Sequence, residues 1–470
     1  MINYLELISS YSDLKIFNQL DGGVVFTKTY GDFLKDIKAY AYELEKQLGN
    51  VSDKRIGVLA NSEYSYVVLL FAIIFSRGVA VPINEKESEK NIQNVIKNSG
   101  IDAVVLSEQF DKSAFSDITV IDMKLLIGGN EEKELADFRE DEKEKPALII
   151  YTSGTTSLSK GAVLSAGSLF GGKREGFPKE CLENCSNKPY ASVYSNFPFY
   201  HVGALIGWLE ITENGHTFYF SKDSGNVLSD LENIRIDFAS VTPAVLKLWA
   251  KCVKRNRIDR LGGVKLILTA GAPLDSELVK SFAGVGITVG QFYGQTETGG
   301  TISSNYDMIN HPGSVGKVNK DVSVSFIDGE ICVDFWGNMI GYDNNPEETA
   351  KCLADGVVHT GDLGYLDDDG YLYLTGRKKT LIILSGGENV SPEEIEGHLY
   401  ENKQIKECLV FAKNDRICAE IYAPELTFEE VKAYVDELNK NVPIYKRIYN
   451  VELRDCEFEK TSVGKIKRKN

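Results

Sequence analysis

Hydrophobic positions along this chain fall into short runs separated by polar, glycine-rich stretches. From Pro146 onward the runs are rich in β-branched residues: Ala147 to Tyr151, Gly161 to Leu164, Ala191 to Tyr194, Thr217 to Phe220, Phe238 to Val241, Val264 to Leu268 and Ile287 to Val289. Each predicts a buried strand. Helical patterns, Ala244 to Lys254 and Asp275 to Ala283, lie between them. Strands alternating with helices predict an α/β sheet covered by helices. Ligands of such sheets collect at the carboxyl ends of strands, so the loops that follow strands are the place to look for chemistry.

Upstream, the longest apolar run, Val67 to Phe75, is about half the roughly 20 residues a membrane-spanning helix needs. It reads as a buried helix, followed by a strand at Val79-Ala80-Val81 that stops at Pro82. After Gly313 the pattern changes to short alternating strands, among them Val322 to Ile327 and Glu330 to Phe335, with turn signals at Asp328-Gly329 and Asp369-Gly370. The last ninety or so residues mix strands (Ile405 to Phe411, Ile417 to Tyr422) with helices (Pro392 to Tyr400, Phe428 to Asn439). The predicted fold is therefore a large N-terminal domain of α/β sheets plus a β-rich subdomain, residues 1–377, and a small α+β domain, residues 378–470. The charged turn Gly376-Arg377-Lys378-Lys379 marks the boundary.

With 470 residues the chain exceeds what one core organises, which agrees with two domains. Lys and Arg total 52 against 68 Asp and Glu, a net charge of −16, and that balance argues against a general binder of nucleic acid or anionic membrane. The start, Met1-Ile2-Asn3-Tyr4-Leu5-Glu6, lacks the basic and apolar regions of a signal peptide, so a cytoplasmic protein is expected. Of the eight cysteines only Cys181 and Cys185 stand close together, with no second pair at zinc spacing. They are read as reduced, small apolar residues.

Four segments carry candidate chemistry. The loop Tyr151-Thr152-Ser153-Gly154-Thr155-Thr156-Ser157-Leu158-Ser159-Lys160-Gly161 packs six Ser or Thr hydroxyls, two glycines and a lysine into eleven residues after a strand. Backbone N–H groups and hydroxyls of such a loop can surround phosphate oxygens while Lys160 supplies charge, although the Walker spacing is absent. Gln291-Phe292-Tyr293-Gly294-Gln295-Thr296-Glu297 follows another strand; there an aromatic can stack on a base, a hydroxyl bind phosphate and a carboxylate hold Mg²⁺, or Glu297 can merely cap a helix. His359-Thr360-Gly361-Asp362 offers a carboxylate suited to two ribose hydroxyls, or a plain turn aspartate. The C-terminal Thr461-Ser462-Val463-Gly464-Lys465-Ile466-Lys467-Arg468 places a lysine on a glycine turn, or is a solvated basic tail.

Their order and spacing resemble the core motifs of the adenylate-forming superfamily: acyl- and aryl-CoA synthetases, adenylation domains of peptide synthetases and firefly luciferase. Tyr151 to Gly161 resembles Y-T-S-G-T-T-G-x-P-K-G, Tyr293 to Glu297 resembles Y-G-x-T-E, and His359 to Leu363 resembles the T-G-D-L segment. Thr375 to Glu396 resembles T-G-R-x-K-D followed by G-G-E-x-V-x-P-x-E-I-E, and Thr461 to Arg468 resembles T-x-x-G-K-I-x-R. Gly329 to Tyr342 and Pro346 to Thr349 fit a further family stretch. The resemblance implies ATP-dependent activation of a carboxylic acid to acyl-AMP and transfer to a thiol, with ATP, Mg²⁺ and CoA (or a carrier-protein phosphopantetheine) as cofactors.

By the resemblance, Thr152, Ser153, Gly154, Thr155, Thr156 and Lys160 bind the β- and γ-phosphates; Gly271, Ala272 and Pro273 frame adenine; Tyr293, followed by Gly294, stacks on it. Thr296 meets the α-phosphate, Glu297 holds Mg²⁺, Asp362 and Arg377 hold the ribose, and Lys465 bridges carboxylate and α-phosphate. Lys379 falls at the hinge about which family members rotate the small domain, bringing Gly386 and Gly387 beside the pantetheine channel. Ser157, Ser159, Thr380 and Glu459 depart from the family pattern. His201, in Asn196 to Leu205, stands where α-amino-acid-activating members place an aspartate, so an aryl or medium-chain acid is expected. Partners are then the acid and CoA or a carrier protein, with no nucleic acid and no membrane span, for a monomer or homodimer. The rival reading is a non-catalytic nucleotide-binding homologue.

Overall fold

The computed structural model describes residues 1–470 apart from 22, 116, 152–159, 184, 186–188, 271–273, 385–388, 461–465 and 469–470. Two sheets dominate. Seven elements hold the candidate site: strands Pro146–Tyr151 (β1) and Gly161–Ser165 (β2), helix Val202–Glu213 (α1), strands Thr288–Gln295 (β3), Val357–Leu366 (β4) and Tyr371–Arg377 (β5), and helix Pro392–Tyr400 (α2).

The smaller sheet runs Gly341–Tyr342, β2, β1, Val79–Pro82, Arg55–Leu59, Ala103–Leu106 and Thr119–Asp122. In the larger one, Ser192–Ser195, Phe238–Ser240, Leu266–Thr269 and β3 are mutually parallel, as buried, β-branched runs between helices favour. Beyond β3 the sheet turns antiparallel through Gly300–Asn305, Ser314–Val318, β5 and β4 to the hairpin Ser323–Ile327/Glu330–Asp334. The predicted turn of that hairpin is Asp328-Gly329, both at positive φ (51° and 77°).

Helices Tyr30–Leu48, Tyr64–Phe75 and α1 are packed between the two sheets. One apolar cluster joins Phe17, Phe218 and Leu266 of the larger sheet to Ile56, Val58 and Leu148 of the smaller through Phe33, Phe71 and Trp208. Every residue of Tyr64–Phe75 except Ser65 is buried, which is why its sequence is apolar all round. Among the described residues no helix is long and apolar enough to cross a membrane.

Residues from Ile382 onward build a separate core, with Ile395, Leu399, Val410 and Ile421 at its centre. Here α2 and Phe428–Leu438 pack on strands Glu407–Lys413, Arg416–Tyr422 and Ile448–Leu453. The chain is thus a large α/β N-terminal domain followed by a smaller α+β domain, with the turn Lys378–Thr380 after β5. At the C-terminus Lys460 bridges Ile466, and Arg468 donates to Glu396 at 2.7 Å and to the Val410 carbonyl at 3.2 Å, tying the tail to α2.

Two expectations change. The strand expected at Ile287 to Val289 continues to Gln295, so Gln291 to Gln295 lies in a strand rather than in the loop after one. The glycines that hid it permit close pairing: a Cβ on Gly290 would come within 2.7 Å of the Asn305 carbonyl oxygen, and one on Gly294 would collide with that of Gly300. Likewise Asp362 is no turn aspartate; it sits in β4, paired in register with Arg377 of β5.

Candidate active site

A cavity of about 1320 Å³ opens at the carboxyl ends of the parallel strands. It reaches from Lys160, after β1, past Thr296 and Glu297, after β3, to Thr360 and Gly361 of β4 and the turn Arg377 to Thr380. On its other side it follows α1, where Gly203, Ile206, Gly207 and Glu210 form the wall.

Lys160 is ion-paired with Glu348, which Lys351 also contacts at 2.6 Å. The hydrogen bond from Lys160 is the main reason the Glu348 carboxyl is held down at about 2. β2 pairs antiparallel with Gly341-Tyr342, fixing the strand after the hydroxyl-rich loop against Tyr342. The Tyr342 hydroxyl in turn donates to Glu297 Oε1 at 2.6 Å. Glu297 caps no helix: it lies in the turn between β3 and Gly300–Asn305, half-buried, with its backbone carbonyl accepting from Met339 N at 2.9 Å.

Asp362 is 4 % exposed. Its Oδ2 accepts from the Tyr293 hydroxyl at 2.7 Å and from Gln295 Nε2 at 2.6 Å, and its Oδ1 pairs with Arg377 Nε at 2.7 Å. Tyr293 therefore meets the site through its hydroxyl. Its ring, 8 % exposed among Ile302, Val315 and Ile331, offers little face for a base to stack on, whereas Phe292, one step along β3, lines the cavity. Alternation of side chains along a strand puts the two on opposite faces.

His201 is the N-cap residue of α1, half-buried, with its ring 4.7 Å from that of Tyr200. Burial lowers its imidazole to about 4, so it is neutral at physiological pH. Lys379 is exposed at the cavity rim. Thr152 to Thr156, Gly271, Ala272 and Pro273, Gly386 and Gly387, and Lys465, all expected at the site, lie outside the described residues.

Sequence reasoning assigned no role to Tyr342, Gln295 or Glu348, although Gly341-Tyr342 and Pro346 to Thr349 stood out as motif-like. Each acts by holding a charged partner, a task that becomes visible only when distant segments meet. The pair Arg174–Glu213 was missed for the same reason: Arg174 Nη1 lies 2.7 Å from Glu213 Oε1, with side-chain exposures of 8 % and 0 %.

Comparison with known proteins agrees with this geometry. YdaB of Bacillus subtilis (strain 168), which carries an acyl–CoA ligase name, is 27% identical over 94% of this chain and 93% of its own length. The 2-succinylbenzoate–CoA ligase of Bacillus cereus (strain AH820) is 28% identical over 82% of this chain and 81% of its own. The structure of O-succinylbenzoate coenzyme A synthetase (MenE) from Bacillus subtilis in complex with ATP and magnesium superposes with a TM-score of 0.84 at 22% identity, over 99% of this chain and 98% of that one. The model of the AMP-binding enzyme family matches residues 16–342, and that of the AMP-binding enzyme C-terminal domain matches residues 379–470. A two-domain α/β architecture, a cavity at its strand ends and a family match across most of the sequence lead to one statement: this chain belongs to the AMP-binding enzymes.

Proposed function

We propose that the chain activates a carboxylic acid with ATP, forming an acyl-AMP and pyrophosphate, and then transfers the acyl group to a thiol, that of CoA foremost. One observation carries this reading. A single cavity joins a phosphate-side cation (Lys160), a fixed carboxylate (Glu297), Arg377 with the buried Asp362 paired behind it, and a largely apolar wall (α1), the parts that a nucleoside triphosphate and an organic acid need in order to meet. The CoA-ligase names of YdaB and of the Bacillus cereus relative support it.

Thr152, Ser153, Gly154, Thr155 and Thr156, with Lys160, would receive the β- and γ-phosphates. Lys160 would exchange Glu348 for phosphate as they arrive. Gly271, Ala272, Pro273 and Gly294 would border the adenine, and Asp362 would hold the ribose, oriented by Tyr293, Gln295 and Arg377. Glu297 would hold Mg²⁺: the Tyr342 hydroxyl engages its Oε1 alone, which leaves Oε2 for a cation. Magnesium bound to a nucleotide usually keeps phosphate oxygens and water among its ligands, so one carboxylate oxygen is a fitting protein contribution. The ion would supply charge neutralisation to the triphosphate. Thr296 would contact the α-phosphate, and neutral His201 would border the acid's carboxylate without adding charge. Lys465 would bridge carboxylate and α-phosphate, carried by a small domain that turns at Lys379, and the rotation would bring Gly386 and Gly387 to the pantetheine. With ATP and CoA as reactants, the enzyme works in the cytoplasm.

Exchange of labelled pyrophosphate into ATP, screened over a panel of acids with Mg²⁺ present, tests the reading. Acid-dependent exchange is expected, followed by thioester formation when CoA is added. Mg·ATP binding without exchange for any acid would instead indicate a nucleotide-binding homologue that has no ligase activity.

Asp362→Asn gives a sharper check. The amide would turn a donor toward one of the groups that now donate to the carboxylate, or leave Arg377 unpaired. The KM for ATP should rise on the order of 10- to 100-fold in steady-state kinetics while the KM for the acid stays near its parent value. A parallel rise in both would assign Asp362 to general stability rather than to the nucleotide.

A further inference from the structure

The far end of the acyl-side wall is not apolar. α1 leaves the carboxyl end of strand Ser192–Ser195 and runs back along the sheet, so its first turn lies at the level of Thr296 and its last turn is deep in the domain. Gly203, Gly207 and Glu210 follow one another at helical spacing on the cavity side. A Cβ on either glycine would meet nothing within 4 Å, so both border open space. Glu210 stands about 13 Å along the helix axis from His201, at the rise of an α-helix. The cavity is thus a slot that carries a carboxyl group on this wall, away from His201.

Among the described residues no group donates a hydrogen bond to the Glu210 carboxylate; Asn214 Nδ2 donates at 2.8 Å to its backbone carbonyl only. The nearby guanidinium, Arg174, is committed elsewhere: Nη1 donates to Glu213 at 2.7 Å and to the Leu169 carbonyl at 2.9 Å, and its backbone N–H donates to Glu213 Oε2 at 2.8 Å. Tyr306, also on the slot, is hydrogen-bonded to Ser304. Burial pushes the Glu210 carboxyl up to about 7, a rise that the charge of Arg174 opposes only in part. Glu175 and Lys179, farther along the wall, are exposed and opposite in sign.

We propose that the acid activated here carries a hydrogen-bond-donating group, an amino group foremost, at the end remote from its carboxylate, and that Glu210 receives it. The inference rests on the adenylating reading above and specifies its substrate. A half-buried acceptor left unpaired penalises a methyl-ended acid, and a second carboxylate would bring Glu210 no donor and be repelled by its ionised form. The chain would accordingly disfavour 2-succinylbenzoate, a dicarboxylate, despite its likeness to the ligases named for that acid.

Pyrophosphate exchange with three series of graded chain length tests this: ω-amino acids, the corresponding ω-methyl acids and the corresponding dicarboxylates. The expected result is a kcat/KM higher for the ω-amino series, at its best length, by on the order of 10- to 100-fold over the methyl series, and dicarboxylates worst. Glu210→Gln should remove most of that preference and raise the rate with dicarboxylates, while Mg·ATP still raises the melting temperature as it does in the parent. Equal or better exchange with methyl-ended acids or dicarboxylates in the parent protein would overturn the role of Glu210 and leave adenylation standing. So would a preference unchanged in Glu210→Gln. Exchange absent with every acid would overturn the adenylating reading, and the inference with it.

Discussion

Lys465→Ala should lower acid-dependent pyrophosphate exchange by about 100- to 1000-fold, the loss typical when one preorganised charge is removed from a developing transition state. A carboxylate approaching a triphosphate meets repulsion before it meets phosphorus, and a cation bridging the two offsets it at the moment of reaction. The residues that flank Lys465 are firmly placed. Lys460 pairs with Ile466, Lys467 N donates to the Glu459 carbonyl at 2.8 Å, and Arg468 contacts Glu393 and Glu396 of α2 at 3.2 and 2.7 Å. Lys460 and Ile466 to Arg468 are therefore anchored to the small domain, an arrangement the proposed rotation would use. Thioester formation from supplied acyl-AMP should survive the substitution, because that half-reaction would use the domain in its other orientation. Stopped-flow or quench measurements of each half-reaction separate the two, and an equal loss in both would remove the rotation scheme.

Glu213→Ala should be the most destabilising of the single changes considered, by about 3–5 kcal/mol, because it leaves the Arg174 guanidinium buried without its counter-charge. Glu213 accepts both a side-chain and a backbone hydrogen bond from Arg174, whose guanidinium also lies 4.9 Å from the Trp336 ring. Burial raises the Glu213 carboxyl, and Arg174 opposes the rise, so the pair is mutually dependent rather than a net gain. Replacing both residues by apolar ones of similar volume should accordingly cost much less than the single change. Denaturant titration checks the ordering; a Glu213→Ala protein as stable as its parent would show that Arg174 finds another partner. The contrast with Glu210, one helical turn away, is informative: one carboxylate is consumed by the protein and the other is not.

Strands Ser192–Ser195, Thr217–Ser221, Phe238–Ser240 and Leu266–Thr269 of the larger sheet were legible as short apolar runs, whereas Lys15–Leu20, Val24–Thr29, Gly300–Asn305 and Ser314–Val318, with polar residues or glycine among them, were not; α2 was predicted at its observed limits, Pro392 to Tyr400, where a proline takes the first helical position. β3 was cut short because Gly290 and Gly294 read as breakers, whereas they let the backbones of adjacent strands approach. The charged residues of the site, Lys160, Glu297, Asp362 and Arg377, were legible from motif order. Their partners were not. Tyr342 lies 45 positions from Glu297, and Tyr293 lies 69 from Asp362, and local patterns carry no information about contacts at such separations. Glu210 was hidden for a different reason: on a largely apolar helix an acidic residue reads as a solvated position until the cavity beside it is seen.

Gly207 sits in the interior of α1, where glycine costs about 1 kcal/mol relative to alanine, and no neighbour would obstruct a methyl group there. The helix thus forgoes stability at the very point where added atoms would narrow the slot. Its reach works as an adjustable gauge: growing a side chain at that position would shorten the acids admitted and firm the helix in the same step, so chain-length preference could drift without disturbing the nucleotide end of the site.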